Sequence, residues 1–375
     1  MCDMLEDIYN YINTTWDNAK KDREDFFNKL HTTEFICLFG AGGMGIDIAY
    51  YLRKIGVNVN FFCDNNEKLN GKEICLGIKC ISITELLLLK ENVFIIISTG
   101  YYNAIFQQLL SMGFENVITM PTRYVLECKT YLDSVNIDFI KSNIHSLYNI
   151  LEDDQSRSVA AAIIKRWLMP AGNYHNYNYH VLNSSVQYFP KDIIELTNKE
   201  VFVDVGAYIG DTISEFLTIT HNSFNKIIAY ELDKKCFDKL EDYIQSINEE
   251  TRSHIKLFNL GIYDSEQIIR YSSNAATSAI DQIAGETGSV VSLSDHCKEE
   301  ITFVKMDIEG SEVRALYGAE KIIKKYKPKL AICVYHQPNH LWDIPIYIKQ
   351  IVPEYKIYIR HHSDFNVETV CYAVL

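Results

Sequence analysis

The sequence of 375 residues lacks any apolar run that could cross a membrane. Its longest apolar runs, such as Val93–Ile97, have the length of a strand, whereas a membrane-spanning helix needs about 20 apolar residues. The first 25 residues are acidic and carry Tyr, Trp and Asn, so the basic start and apolar core of a signal peptide are also missing. We therefore predict a cytoplasmic protein without a membrane span.

Paired cysteine spacings and an excess of positive charge are absent as well. The ten cysteines are scattered, and Cys37, Cys63 and Cys333 lie in apolar runs, where a free thiol behaves as a small hydrophobe. This pattern indicates a reducing compartment rather than a disulfide framework. The net charge is −13, so the phosphate backbone of a nucleic acid would be repelled. We therefore expect no nucleic-acid partner.

What the sequence contains is the composition of a globular protein, 47% hydrophobic and 23% charged, over a length that suits two or three domains. Two blocks of alternating strand and helix patterns are separated by a stretch without strand pattern. We predict an α/β fold with a small Rossmann-like domain at residues 1–122, a helical connector at 123–190 and a larger, doubly wound α/β domain at 191–375. An oligomer is compatible with the sequence.

The first block begins with a predicted strand, Phe35–Phe39, which the motif Gly40-Ala-Gly-Gly-Met-Gly45 follows. Gly40, Gly42 and Gly45 match the spacing of a dinucleotide-binding turn, and Asp64 closes the next strand at the position that binds a ribose. The remaining pattern of this block predicts strands at residues 57–63, 93–97 and 117–119 and helices at 46–55 and 104–112.

Three interpretations of the first block remain open. The glycine turn and Asp64 favour an NAD-dependent oxidoreductase, but the block is short for one and no paired substrate domain accompanies it. Its Cys63-Asp-Asn-Asn66 stretch resembles the small nucleotide-binding modules attached to sugar-modifying transferases. A nucleotide or nucleotide-sugar is then the expected ligand of this domain. The third interpretation is a non-catalytic binding or dimerisation module that presents the substrate.

Apolar spacing in the connector predicts a helix at residues 147–168. Residues 173–180 are rich in Asn, Tyr and His, which suits either an exposed loop or a loop that faces a substrate.

The second block contains five predicted strands, and in such a sheet the ligand lies outside the carboxyl ends of the strands. The first strand runs into Asp204-Val-Gly-Ala-Tyr-Ile-Gly-Asp211, whose glycines allow a tight turn close to a ligand. The second strand ends at Glu231, where a carboxylate can accept hydrogen bonds from the ribose hydroxyls of an adenosine. The five strands are predicted at residues 201–205, 226–230, 255–258, 302–306 and 330–334.

Carboxylates and a histidine follow the fourth and fifth strands. The fourth strand leads into Lys305-Met-Asp-Ile-Glu-Gly-Ser-Glu312, and His336 follows the fifth strand. Because these strand ends share one edge of the sheet, we expect Asp307, Glu309 and His336 to converge beside the nucleoside. That set suits acid–base or metal-assisted chemistry.

The stretches Phe202-Val-Asp-Val-Gly-Ala-Tyr-Ile-Gly-Asp-Thr212 and Val304-Lys-Met-Asp-Ile-Glu-Gly-Ser-Glu312 together resemble the FkbM family of methyltransferases. The resemblance covers about residues 185–375. It implies a Rossmann-like class I methyltransferase domain, S-adenosylmethionine as the methyl donor, and a hydroxyl as the acceptor, often on a sugar of a glycan or a natural product.

The resemblance also implies roles for particular residues. Glu231 should bind the ribose and Asn259, after the third strand, should contact the adenine. The methionine part of the cofactor should be surrounded by the residues of the glycine motif, namely Asp204, Gly206, Ala207, Gly210 and Asp211.

A weakly acidic hydroxyl needs either a positioned base or a metal ion to lose its proton. His336 suits the base, and Asp307 with Glu309 could orient it or hold Mg²⁺ or Mn²⁺. We favour the metal-free base, because Mg²⁺ sites usually supply more oxygen ligands than this motif guarantees.

Overall fold

The computed structural model describes residues 2–120, 122–170, 186–274, 277–280, 285–363, 365 and 367–375. The Asn-, Tyr- and His-rich loop predicted at residues 173–180 lies outside the described residues. No helix in these described ranges combines the length and the apolar character needed to cross a membrane. The cytoplasmic location stays a prediction from the sequence.

A long helix, α1 (Cys2–Thr32), which the sequence analysis did not assign, begins the chain. Its two halves pack into different cores. Ile8 and Ile12 pack with the connector helices and the second block, whereas Phe26 and Leu30 pack against the first sheet. Helix α1 therefore ties the two blocks together.

The first block is a six-stranded sheet in the order β3-β4-β2-β1-β5-β6. All neighbouring pairs are parallel except β3–β4, a hairpin at the edge that the sequence analysis missed. The second strand begins at Phe61 rather than at residue 57. The elements are β1 (Phe35–Phe39), α2 (Gly43–Lys54), β2 (Phe61–Cys63), β3 (Glu73–Cys75), β4 (Ile78–Ile81), α3 (Ile83–Leu88), β5 (Val93–Ile97), α4 (Tyr102–Ser111) and β6 (Val117–Thr119), with a 3₁₀ turn at Glu67–Leu69.

The connector contains three helices, α5 (Arg123–Ser134), α6 (Ile137–Ile150) and α7 (Asp154–Trp167). The single helix predicted at residues 147–168 is therefore two helices. The break has a local cause, because the Asp153 carboxylate accepts the backbone N–H of Ser156 at 2.8 Å and caps the start of α7.

The second block is built on a seven-stranded sheet in the order β16-β17-β15-β14-β7-β8-β9. All five predicted strands are present within one residue of their expected bounds, which confirms the doubly wound α/β sheet. The antiparallel pair at one edge was not foreseen. The elements are β7 (Val201–Val205), α8 (Asp211–Ile219), β8 (Lys226–Tyr230), α9 (Lys234–Ser246), α10 (Glu249–Arg252), β9 (Ile255–Phe258), β14 (Phe303–Met306), α12 (Glu312–Tyr326), β15 (Lys329–Cys333), α13 (His340–Ile351), β16 (Lys356–His361) and β17 (Thr369–Val374).

A second, four-stranded sheet lies in the chain between β9 and β14 and was also not foreseen. Its order is β10-β13-β11-β12. The elements are β10 (Gly261–Tyr263), β11 (Gln267–Asn274), β12 (Thr277–Ile280), β13 (Glu286–Ser292) and the short helix α11 (Leu293–His296).

The connector is fixed to the edge of the second block. The N–H of Glu152 donates to the carbonyl of Ile357 in β16 at 2.9 Å. Buried Arg360 of the same strand pairs with Asp153 at 2.7 Å and with Asp192 at 3.2 Å. Because the Arg360 guanidinium is buried, its pair with Asp153 and the hydrogen bond from Glu152 fix the connector to the edge strand of the second block.

Candidate active site

A cavity of about 760 Å³ opens where the strand order reverses between β7 and β14. This is the crevice in which ligands of doubly wound sheets bind, and the volume is typical of small-molecule sites. The carboxyl ends of β7, β8, β14 and β15 supply its floor. Further wall residues come from α2 of the first block and from the start of the connector.

The glycine turn after β7 closely approaches the loop after β14. Gly206 has a φ of +78°, which favours glycine. A Cβ at this position would overlap the carbonyl oxygen of Asp307. Gly206 and Asp211 line the cavity, whereas Ala207 and Gly210 are buried and shape the turn.

Asp204, at the end of β7, is fully buried and forms an ion pair with Lys305 of β14. The Lys305 Nζ lies 3.0 Å from the carboxylate and also donates to the carbonyl of Gly206 at 2.6 Å. Burial alone would lower the pKa of Lys305, but Asp204 and Asp307 raise it above its ordinary value. This pair therefore locks the glycine turn onto the neighbouring strand.

Glu231 follows β8 and lines the cavity with only 7% of its surface exposed. Its two carboxylate oxygens accept the backbone N–H groups of Tyr208 and Asp233, each at 2.8 Å. Burial raises the pKa of Glu231 to about 7. Each oxygen keeps a further lone pair, so the carboxylate can still accept hydrogen bonds from a ligand.

Asn259 holds the loop that carries Glu231. Its side-chain amide donates to the carbonyl oxygens of Glu231 at 2.8 Å and Leu232 at 3.0 Å. The neighbouring residues Leu260 and Ile262 line the cavity and offer an apolar surface beside the carboxylate. The predicted contact of Asn259 with adenine stays a prediction.

Asp307, Glu309 and His336, which the sequence analysis grouped together, lie close to each other. The Nε2 atom of His336 is 3.3 Å from Asp307 and 3.8 Å from Glu309. The two carboxylates line the cavity, whereas the His336 side chain is completely buried beneath them.

Glu312, which lies within the quoted motif but was not assigned a role, completes this cluster. Its fully buried carboxylate lies 2.8 Å from the Nδ1 atom of His336 and accepts the backbone N–H of Ile308 at 2.9 Å. Burial alone would lower the pKa of His336, but Glu312, Glu309 and Asp307 raise it to about 10. The ring is therefore an imidazolium at neutral pH.

Two tyrosines and an arginine hold the carboxylates that face the cavity. The Tyr188 hydroxyl donates to Asp307 at 2.8 Å. Glu309, at a φ of +53°, accepts the Tyr124 hydroxyl at 2.9 Å and pairs with Arg123 at 3.2 Å. Only the tertiary structure could identify these partners, because they come from segments far from the motif.

Glu368, just before β17, is a further cavity residue that the sequence gave no reason to select. It has a φ of +65°, and its carboxylate accepts the side-chain amide of Gln187. Burial and the nearby Asp307 carboxylate raise the pKa of Glu368 to about 7.

Asp307, Glu312 and His336 have ligand atoms within 4.8 Å of one another, close enough for a metal ion. The predicted ligand set contained Glu309 in place of Glu312. The chemistry of the donors argues against Mg²⁺ here, because the cluster offers two carboxylates and an imidazole, whereas Mg²⁺ prefers a shell of oxygen ligands. The cluster fits an arrangement of carboxylates around an imidazolium.

The first block repeats the arrangement found at Glu231. The Asp64 carboxylate accepts the N–H of Ala41 in the glycine turn at 2.9 Å and that of Asn66 at 2.8 Å. A Cβ at Gly45 would overlap the carbonyl oxygen of Gly40, so helix packing alone requires glycine there. Nucleotide binding by this block stays a prediction.

The strand order and the turns at its switch point are those of the Rossmann-like fold of class I methyltransferases. The solved structure of methyltransferase FkbM from Methylobacillus flagellatus KT superposes on this chain with a TM-score of 0.73 and 21% sequence identity, over 99% of both chains. An rRNA methylase from Streptococcus thermophilus (TM-score 0.32, 13% identity) matches 48% of this chain and 88% of its own. The precorrin-6y C5,15-methyltransferase from Geobacter metallireducens GS-15 (TM-score 0.30, 10% identity) matches 48% of this chain and 80% of its own.

The model of the methyltransferase FkbM domain matches residues 204–356. No curated protein matches the chain significantly. Residues 204–356 thus form a methyltransferase domain of the FkbM family, and the protein is a methyltransferase.

Proposed function

We propose that the protein transfers the methyl group of S-adenosylmethionine to a hydroxyl of a sugar or glycan precursor. The observation that carries this proposal is the buried Glu231 carboxylate, which is fixed by two N–H groups at the cavity wall and can accept ribose hydroxyls. The cofactor supplies an electrophilic methyl group on a sulfonium.

The chain's own residues are suited to hold this cofactor. Gly206 lets the backbone approach without a Cβ in the way. Asp211, Asp233 and Asp307 also line the cavity and give it the negative charge that favours a sulfonium cation. Much of the rate acceleration then comes from the orientation of donor and acceptor.

Asp307 is the group that we assign to take the proton of the acceptor hydroxyl. Its carboxylate lines the cavity, whereas the ring of His336 is buried and holds a proton on both nitrogens at neutral pH. We therefore move the base role from His336, where the sequence analysis put it, to Asp307. His336 and Tyr188 are positioning residues that orient this carboxylate.

The proposal is tested by incubating the protein with S-adenosylmethionine and neutral oligosaccharides and measuring acceptor mass. We expect a product heavier by one methyl group in place of a hydrogen, with S-adenosylhomocysteine formed in equal amount. If S-adenosylhomocysteine formed only when a protein or a lipid was the acceptor, the methyltransferase activity would stand but the proposed sugar acceptor would be wrong.

The affinity for S-adenosylhomocysteine is expected to depend on pH through Glu231. Ribose hydroxyls hydrogen-bond best to the ionised carboxylate. At a pH below the Glu231 pKa of about 7, this carboxyl group must therefore lose a proton before it can bind the ribose well. Binding should therefore be about tenfold weaker at pH 6 than at pH 8. Calorimetry at both pH values measures this difference. The Glu231→Gln variant should bind S-adenosylhomocysteine weakly and equally at both pH values. If this variant kept the pH dependence of the wild type, Glu231 would be excluded as its source.

Chelation is expected to leave the methyl-transfer rate unchanged. The reason is that the carboxylates of the cluster are already paired with the His336 imidazolium. The rate is measured after exhaustive EDTA treatment and again after addition of Mg²⁺ or Mn²⁺. Loss of activity that either ion restores would establish a metal-dependent mechanism instead.

A further inference from the structure

Helix α2 of the first block forms part of the cavity wall of the methyltransferase domain. Gly43, Met44, Ile46 and Asp47, all in the first two turns of α2, line the same cavity as Asp307 and Glu309. Thr122 and Tyr124, at the start of the connector, continue this wall. The cavity is therefore enclosed by both blocks, and we call these six residues the α2 wall.

Buried polar contacts hold the α2 wall against the loop after β14. The Arg123 guanidinium, 13% exposed, lies 3.0 Å from Asp47 and 3.2 Å from Glu309. The Tyr124 hydroxyl donates to the same Glu309 carboxylate at 2.9 Å, and its ring packs edge-on against Tyr335. These charge-assisted contacts are largely shielded from water, so the wall is fixed relative to Asp307.

The end of the cavity that the α2 wall encloses has an excess of negative charge. Four carboxylates line it, those of Asp47, Asp307, Glu309 and Glu368. The cations beside these acids are the Arg123 guanidinium, the buried His336 and Lys305, and all three already pair with carboxylates, Lys305 with Asp204. A carboxylate or phosphate on a bound molecule would therefore be repelled and poorly solvated.

The α2 wall also offers a free hydrogen-bonding group. The hydroxyl of Thr122 is buried at the cavity wall and has no hydrogen-bond partner among the described residues. Buried hydroxyls are rarely left unpaired, so this group indicates a polar ligand at the wall. Met44, 39% exposed, adds an apolar surface to the same cavity.

We propose that the methyl acceptor binds between the two blocks against the α2 wall, and that it is a neutral or amine-bearing polyol rather than a uronate or a phosphorylated sugar. The inference rests on the proposed function and names the class of its acceptor. Met44 and Thr122 are the residues of the first block and connector that contact this acceptor and determine its specificity.

The experiment uses the full chain loaded with S-adenosylhomocysteine and four probes, namely methyl glucoside, glucosamine, glucuronate and glucose 1-phosphate. Binding is measured by saturation-transfer NMR. We expect methyl glucoside and glucosamine to bind. Glucuronate and glucose 1-phosphate should bind at least about tenfold more weakly, because a group that a pocket cannot pair lowers the affinity by at least that factor. Met44→Arg, which places a long charged side chain in the acceptor space, should reduce binding of the first two probes by a similar factor and leave S-adenosylhomocysteine affinity unchanged.

Tyr50→Arg is the matched control, because Tyr50 is equally exposed on the same helix and does not line the cavity. It should bind all probes as the wild type does. Equal or stronger binding of the anions would overturn the charge class, and unchanged probe binding in Met44→Arg would overturn the position of the acceptor. Absence of sugar binding with intact S-adenosylhomocysteine binding would remove the proposed sugar acceptor and this inference, whereas failure of S-adenosylhomocysteine to bind would remove the donor site.

Discussion

Asp307→Asn is expected to lower kcat by about 10²–10⁴-fold, the usual contribution of a positioned proton acceptor. The amide has nearly the same shape as the carboxylate but cannot take a proton from the acceptor hydroxyl. Its contacts with Tyr188 and the His336 ring would be weakened, yet Glu231 and the turn that fixes it are untouched. Affinity for S-adenosylhomocysteine should therefore remain near that of the wild type. Initial rates at saturating donor, with calorimetry of the same preparation, measure both quantities.

Asp264→Asn provides the matched control for this substitution. Asp264 pairs with the half-exposed Arg314 on the surface, at 3.0 Å, so the same chemical change there should leave kcat unaltered. A wild-type rate in Asp307→Asn together with a lost rate in His336→Ala would return the base role to His336. Loss of S-adenosylhomocysteine binding in Asp307→Asn would mean that this residue serves the donor instead.

Gly206→Ala is expected to destabilise the protein and to abolish measurable binding of S-adenosylhomocysteine. Its Cβ would overlap the carbonyl oxygen of Asp307, so the turn after β7 and the loop after β14 would have to separate. Overpacking of this kind costs about 1–3 kcal/mol, and the φ of +78° adds about 1–2 kcal/mol for a residue with a side chain. Thermal denaturation and calorimetry measure the two effects.

Gly56→Ala separates steric overlap from backbone strain. Gly56 has a similar φ, +82°, but a Cβ there would meet open space. This control should therefore lose only the stability that the strained backbone costs, and it should keep its affinity for S-adenosylhomocysteine. If both alanine variants were equally mild, the two loops would not approach each other as closely as described.

The central strands of the seven-stranded sheet were predictable because they are buried on both faces. Val201–Val205 is buried at every position and appears in the sequence as an apolar run that ends in polar and glycine residues. Other strands lack this signal. β3 (Glu73–Cys75) has no fully buried residue, and β13 (Glu286–Ser292) mixes polar side chains with glycine, so neither stands out from a loop.

Part of the candidate site could be predicted because parallel strands end at one edge of a sheet. That rule placed Glu231 at the cavity and brought Asp307, Glu309 and His336 together. It could not identify Glu368, because this residue reaches the cavity at the start of β17, an antiparallel strand that was not foreseen.

The sequence by itself determined the two α/β blocks, the doubly wound sheet and the order of glycine turns and acids along its edge, because these depend on local apolar runs and on spacing. Only the tertiary structure decided the charge state of His336, since that depends on three carboxylates packed around a buried ring. The tertiary structure also decided that α2 encloses the cavity. The contact that holds α2 there joins Asp47 and Glu309, which lie far apart in the chain and are linked through Arg123.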